Sequence, residues 1–512
     1  MEKSFKLFDF SQKINYKNEI LAGLTVAMTM IPESLSFAIL AGLSPLTGLY
    51  AAFMMGLVTA ILGGRPGMVS GGAGATIVVL IALIKTHGIE YLFATVVLAG
   101  IFQLLVGVLK FGKFVRLIPQ PVMYGFLNGL AVIIFMAQVE QFKITDANGV
   151  VSWLQGTSLY IMVGLTALTI AVVYFFSKIT KVVPASLVAI LIVFGVVFGF
   201  GINTKTVADI AHISGSLPSF HIPGIPFSLE TLQIIFPYAL IMAGVGLIES
   251  LLTLSMVDEI TNSKGSANKE SVAQGLANIT NGFFGGMGGC AMVAQTLVNL
   301  NAGSRARLSG IIASITILII ILVGAPFIEK IPMAALVGVM MMVAISTFQW
   351  VSIRIVNKMP KSDIFVGVTV ALITIVLHNL ALAVLVGVII SALVFAWDNA
   401  TRIRARKHID ENGVKYYEIL GPLFFGSVTA FTDKFDPMND PEQVVIDFKE
   451  SRIVDMSAID ALDKLSKRYA QQNKKLHLKH LSEDCRKMLK NAEAVIEVSI
   501  EDDPTYKVMP EK

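Results

Sequence analysis

The sequence predicts a polytopic α-helical membrane protein of about fourteen segments, arranged as a seven-plus-seven inverted repeat and followed by a C-terminal cytoplasmic α/β domain. Three observations predict it: a strongly apolar composition, apolar runs of membrane-spanning length down to about residue 398, and two pairs of similar motifs in the two halves. The 512 residues are 54% hydrophobic and 15% charged, with a mean hydropathy of +0.72, whereas a soluble domain carries about 25% charge. A formal net charge of +4 gives no support to nucleic-acid binding, which needs a dense basic face. The two cysteines, Cys290 and Cys485, form neither a disulfide framework nor a metal-ligand spacing and read as structural. No cleavable leader is expected ahead of the first apolar run, which begins near residue 19.

Apolar runs near 20–40, 45–64, 67–86, 91–109, 122–139, 158–177, 183–201, 235–257, 270–284, 288–303, 306–328, 331–348, 362–378 and 380–397 are the expected segments. The domain boundaries follow: a cytoplasmic N-terminal segment 1–18, a first repeat 19–201, a connection 202–234, a second repeat 235–398, and a tail with its linker over 399–512. Lys and Arg concentrate in alternate loops, at Lys110, Lys113 and Arg116, Lys178 and Lys181, Lys264 and Lys269, Arg305 and Arg307, and Arg354, Lys358 and Lys361. The positive-inside rule then places both termini in the cytoplasm, with Arg402, Arg404, Arg406 and Lys407 forming a short basic linker against anionic lipid headgroups. Beyond His408, strand-like KYYEIL, QVVIDF, KLHLKHL and VIEVSI alternate with helical segments, and Ile459, Leu462, Leu465 and Tyr469 give one helix an apolar face.

The halves echo one another. IPESLSF from Ile31 and LIESLLT from Leu247 place carboxylates Glu33 and Glu249 mid-span, 216 residues apart, and GGRPG from Gly63 and GGMGG from Gly285 lie 222 apart. Seven is odd, so the second copy is inverted in the membrane. Both glycine-rich runs interrupt their segments and read as extended backbone followed by a half-helix. Two half-helix N-termini meeting at the midplane present free N–H groups and roughly one positive charge in all, which suits an anion. The expected donors are the amides of Gly74–Thr76 and Ala294–Thr296, with Thr76, Gln295 and Thr296 as side-chain ligands. Carboxylates within membrane helices cost about 2.5–3.5 kcal/mol each, so Glu249 and Glu33 are candidates for binding a proton or cation. Thr253 lies one turn from Glu249 and would complete a sodium site if sodium is the coupling ion. No nucleophile, base and orienting acid can be grouped, so an enzyme is not expected, and no cofactor beyond a coupling Na⁺ or H⁺.

These residues resemble the SulP anion permease family over nearly the whole chain. The resemblance rests on IPESLSFAILAGLSPLTGLYAAF, on GLIESLLTLSMVDEI with NKESVAQGLAN, and on FFGGMGGCAMVAQTLVNLNAGSRARLSG; GPLFFGS and VVIDFKESRIVDMSAIDAL resemble the STAS domain that closes such permeases. It implies a core and a gate domain, homodimers, and proton- or sodium-coupled transport of anions such as sulfate or bicarbonate. By the same resemblance Glu249 and Thr253 match the cation-coupling position, Phe37 an aromatic lining the anion pocket, Ala73, Gly74, Ala75 and Thr76 the first half-helix, and Val293, Ala294, Gln295 and Thr296 the second. Some members carry Arg where this chain has Gln295 and Gln where it has Glu33, and bicarbonate-transporting members carry Thr at Ala73 and Val293. A sulfate-like anion is the first expectation, with bicarbonate or a dicarboxylate as the alternative and a nucleobase carrier or uncoupled channel behind them. Asp455 and Ser457, at a strand-to-helix turn, resemble the regulatory position of soluble STAS proteins, although Asp and Ser also simply cap helices. The tail is expected to regulate or assemble the protein without forming the pathway.

Overall fold

In a computed structural model the chain is described over residues 15–112, 119–145, 151–179, 184–209, 215–377, 380–401, 403–482, 485–486 and 499–501. The N-terminal segment up to residue 14, and Lys113, Arg116, Lys181 and Arg402, lie outside these residues. The chain divides into two compact units, Met1–Val388 and Ile389–Lys512.

Helices α1 (Tyr16–Leu40), α2 (Pro45–Leu62), α3 (Gly74–His87), α4 (Ile89–Val108), α5 (Gln120–Glu140), α6 (Thr157–Ile179) and α7 (Ala185–Gly199) form the first half. The second half contains α8 (Leu229–Thr261), α9 (Ala267–Phe283), α10 (Val293–Asn301), α11 (Leu308–Glu329) and α12 (Met333–Thr347). A short helix α13 (Trp350–Arg354) precedes α14 (Lys361–Leu377) and α15 (Leu380–Thr401). Seven of these helices are long and apolar enough to cross a membrane unaided, and the chain is a multi-pass membrane protein. Helix α8 starts at Leu229, ahead of the expected 235, because the Ser228 side chain caps it by accepting from Thr231 N at 3.1 Å.

Two helix groups emerge from the packing. Helices α1–α4 pack with α8–α11, and α5–α7 pack with α12 and α14; α1 reaches across to α7 and α12. Each glycine-rich run is interrupted as expected: β1 (Ser70–Gly71) precedes α3, and β4 (Cys290–Ala291) precedes α10. These two strands pair antiparallel, Ser70 with Ala291 and Gly71 with Cys290. A Cβ on Gly289 would stand 1.9 Å from the Gly71 carbonyl oxygen, so only glycine admits this approach.

Charges near the helix ends have structural partners. Glu19, buried in the first turn of α1, accepts from the backbone N–H of Arg305 (2.7 Å), Ala306 (2.9 Å) and Ser309 (2.9 Å) and so caps α11. Arg307, read from sequence as a loop charge, is buried and donates to the carbonyls of Ala60 (3.0 Å) and Gly63 (2.7 Å) at the end of α2. Arg65 pairs with Asp258 at 3.2 Å.

The second unit is a five-stranded sheet in the order β5-β6-β7-β8-β9: β5 (Arg404–Ile409), β6 (Lys415–Leu420), β7 (Gln443–Glu450), β8 (Lys475–Lys479) and β9 (Ser499–Glu501). The first pair is antiparallel and the rest parallel. Arg404, Arg406 and Lys407 therefore belong to an edge strand rather than to a linker, since their backbones pair with Leu420, Glu418 and Tyr417. The helices α16 (Val428–Thr432) and α17 (Met456–Ala470) complete the unit, with Ile459, Leu462, Leu465 and Tyr469 buried in its core. The expected strand VIEVSI is described only from Ser499 onward.

Candidate functional site

The N-termini of α3 and α10 are built alike. Each follows two residues of strand, and neither N-cap, Ala73 or Met292, supplies a side-chain hydrogen bond. The first helical bond of α3 runs from Ile77 N to Ala73 O, and that of α10 from Thr296 N to Met292 O. The amides that precede them, Gly74, Ala75 and Thr76 on one side and Val293, Ala294 and Gln295 on the other, are the free N–H groups of a helix start. The second set is shifted by one residue from the expected Ala294–Thr296, because the Thr296 amide is spent within the helix.

Around these ends the side chains divide by role. Phe37 is buried against α3, where a Cβ on Gly74 would lie 2.3 Å from its ring carbon Cε1. Gly74→Leu is therefore expected to drive the Phe37 ring out of place and destabilise the fold by about 1–3 kcal/mol, the usual cost of forcing a larger side chain into a packed core; thermal unfolding of the purified variant checks this. Val293 and Ala294 are exposed, whereas Ala73, Ala75, Gln295 and Thr296 are buried. The Thr76 hydroxyl donates to Ala73 O at 2.9 Å at the start of its own helix, whereas the Thr296 hydroxyl accepts from Val69 N at 3.0 Å and ties α10 to the segment that leads into β1. Gln295 Nε2 donates to a carboxylate oxygen of Glu33, and its Oε1 has no partner although buried. Glu33 on α1 is thus brought to the start of α10.

Glu249 on α8 accepts from the Cys290 thiol at 3.0 Å, and the next residue, Ser250, accepts from Ala291 N at 3.0 Å. Thr253, fully buried, donates to the Glu249 carbonyl at 2.8 Å, which leaves its hydroxyl oxygen beside the carboxylate's turn. Among the described residues no cluster of three or more His, Cys, Asp and Glu could hold a metal ion. Cys290, read from sequence as only structural, is a hydrogen-bond donor to the candidate coupling residue. Sequence reasoning also missed Gln274, Asn278 and Ser250, which hold the two strands; the signal for the first two was Glu270, Gln274 and Asn278 at four-residue spacing in an otherwise membrane-like segment. A cavity of about 230 Å³ lies apart from these residues, between α5, α13 and α14, and none of the candidate ligands lines it.

In the second unit Asp455 caps α17, accepting from Ala458 N at 2.9 Å and also from Phe425 N at 2.8 Å. The helix begins at Met456, and Ser457 is exposed in its first turn.

Residues 16–370 match the model of the sulfate permease family, and residues 407–506 match the STAS domain. The chain is 41% identical over 476 residues to the putative sulfate transporter YbaR of Bacillus subtilis, covering 93% of this chain and 97% of that one. It is 30% identical over 497 residues to the bicarbonate transporter BicA of a Picosynechococcus species, covering 88% and 87%. Among solved structures, the transmembrane domain of a cyanobacterial BicA superposes with a TM-score of 0.63 at 25% identity over 75% of this chain and all of that one. The inward-facing murine anion transporter Slc26a9 superposes with a TM-score of 0.80 at 18% identity, over 94% and 88%, a likeness of fold alone. The paired half-helices, the family match over most of the membrane unit and the domain that follows it make this chain a member of the sulfate permease family with a C-terminal STAS domain.

Proposed function

We propose that the protein is a secondary transporter that carries a small inorganic anion of the sulfate or bicarbonate class across the cell's inner membrane, by alternating access and coupled to protons or sodium. The observation that carries this reading is the pair of uncapped helix N-termini joined by the β1–β4 ladder, with Glu33 against the start of α10 and Glu249 against β4, the strand that leads into it. Backbone amides supply the positive potential, and relatives named as sulfate and bicarbonate transporters support an anion as cargo. Moving one charge through 100 mV is worth about 2.3 kcal/mol, so bringing a dianion into a negative cell costs about 4.6 kcal/mol. A cation bound at Glu249 and carried with the anion offsets part of that cost. The helices α1–α4 with α8–α11 serve as the moving core and α5–α7 with α12 and α14 as the gate.

When ionised, the Glu33 carboxylate favours a monoanion within this class, because it then adds negative charge beside the α10 amides. Bicarbonate is the second reading on that ground. Glu33→Gln is expected to lower the half-saturation concentration for sulfate at least about fivefold, the ~1 kcal/mol that a pair of unit charges at 4 Å is worth even in bulk water. A marked loss of sulfate affinity would show that Glu33 helps to hold the anion. Uptake of labelled sulfate, bicarbonate and dicarboxylates into proteoliposomes, with sodium and proton gradients imposed separately, tests the whole reading; no accumulation of any of them under either gradient overturns it.

A further inference from the structure

The segment NKESVAQGLAN forms most of α9, and three of its polar side chains, Glu270, Gln274 and Asn278, are buried on one face at four-residue spacing. Gln274 Nε2 donates to Ser70 Oγ in β1 at 2.8 Å and to Glu270 Oε1 at 2.8 Å, while Glu270 Oε2 accepts from Gly64 N at 2.8 Å. Asn278 holds the backbone of Gly289 at both of its polar groups: Oδ1 accepts from Gly289 N at 2.9 Å and Nδ2 donates to Gly289 O at 3.0 Å. Ser70 and Gly289 occupy matching places, each four residues ahead of the first residue of its half-helix, Gly74 or Val293. One helix therefore grips both arms of the site. Its counterpart in the first half, α2, offers no amide side chain for the task, so the duty falls on one side of the repeat.

We propose that Gln274 and Asn278 are positioning residues that set the depth and facing of the two half-helix N-termini at which the anion binds. The inference rests on the placement of the anion at those N-termini. Geometry gives the reason: an amide aimed at a small anion is effective only within hydrogen-bond reach, and a displacement of about 1 Å removes most of the interaction. A side chain that merely satisfied one buried polar group would have no cause to take both the N–H and the C=O of Gly289, the residue that leads into β4. Gln103 provides the comparison. It accepts from Asn278 Nδ2 at 2.9 Å and donates to Ala243 O at 3.4 Å, both buried bonds, and neither ends on a strand.

The test uses the full chain in proteoliposomes with labelled sulfate, or labelled bicarbonate where sulfate is not carried. Asn278→Asp keeps the shape and exchanges the donor for an acceptor; Gln274→Met removes both of its bonds to α9 and β1. Each is expected to raise the half-saturation concentration at least about tenfold while the maximal rate stays within about threefold, and Gln103→Leu is expected to leave half-saturation within about twofold even where it lowers thermal stability. Ala294→Leu, run alongside, separates the two readings. If Ala294→Leu raises half-saturation and neither α9 variant does, or if Gln103→Leu shifts it as much as they do, the positioning role is overturned while the anion site stands. If Ala294→Leu is itself silent, the anion lies elsewhere and the inference falls with that placement. Should one α9 variant fail to fold, the other carries the test unchanged.

Discussion

Glu249→Gln is expected to yield a folded protein that no longer accumulates its anion against a gradient. Glutamine matches glutamate in size and keeps an oxygen to accept from the Cys290 thiol, so the 3.0 Å contact across α8 and β4 survives. What is lost is the charge. Each coupled cation supplies about 2.3 kcal/mol per 100 mV of membrane potential, so its removal lowers the accumulation ratio roughly 50-fold per 100 mV before the cation's own concentration gradient is counted. Downhill flux of the anion should persist, because the N–H groups at Gly74–Thr76 and Val293–Gln295 are untouched. Proteoliposomes loaded and diluted under a sodium or proton gradient measure both quantities in one experiment. An unchanged accumulation ratio would remove Glu249 from coupling.

The second large effect is expected in the STAS domain, at Asp440. Its side chain is wholly buried, accepts from Lys415 Nζ and from the Tyr417 hydroxyl at 2.7 Å, and also accepts from the Tyr469 hydroxyl. One carboxylate thereby joins β6, the loop before β7, and the end of α17. Burial pushes Asp440 up, but the hydrogen bonds from Lys415, Tyr469 and Tyr417 prevail and hold it below the usual carboxylate range. A carboxylate depressed in the folded state contributes stability above its unfolded pKa of about 3.9, and that contribution is lost as pH falls through the folded value. Asp440→Ala leaves Lys415 and two tyrosine hydroxyls without their shared acceptor, a change of the kind that costs about 3–5 kcal/mol. Amide exchange in β7 and β8 of the full-length protein is expected to speed up at least about 100-fold, tenfold for every 1.4 kcal/mol. The difference from the unaltered chain should narrow below about pH 4. Unchanged protection of Val444–Phe448 would show that the carboxylate contributes little.

The membrane segments were legible because bilayer thickness fixes the length of an apolar run, and the half-helices because glycine-rich backbone cannot continue a helix through GGRPG and GGMGG. The similar motifs around Glu33 and Glu249 gave the two halves. What joins the halves was hidden, since it depends on contacts between residues far apart in the chain: Gln295 meets Glu33 across 262 positions, and the pairing of Ser70 with Ala291 has no local signature in two residues of strand. The polar face of α9 was visible as spacing but its partners were not. Cys290 looked inert because a lone buried thiol ordinarily is, and only the approach of Glu249 makes it a donor. Arg404, Arg406 and Lys407 read as a linker because their charge outweighs the weak alternation of a six-residue edge strand.

The β1–β4 ladder also sets a timetable for biosynthesis. Ser70 and Gly71 leave the ribosome more than 200 residues before Ala291 and Cys290, their only strand partners among the described residues. At about 5–20 residues per second, that interval is roughly ten to forty seconds. With the half-helix site at the midplane, as proposed, the nascent first half holds an open backbone segment throughout that interval where lipid can satisfy neither N–H nor C=O. The insertion machinery, or water retained beside the growing bundle, must shelter that segment until the second half arrives. A ribosome stalled between the two halves would therefore leave an intermediate that is inserted but incomplete, and quality-control proteases would meet it with its unpaired strand still open.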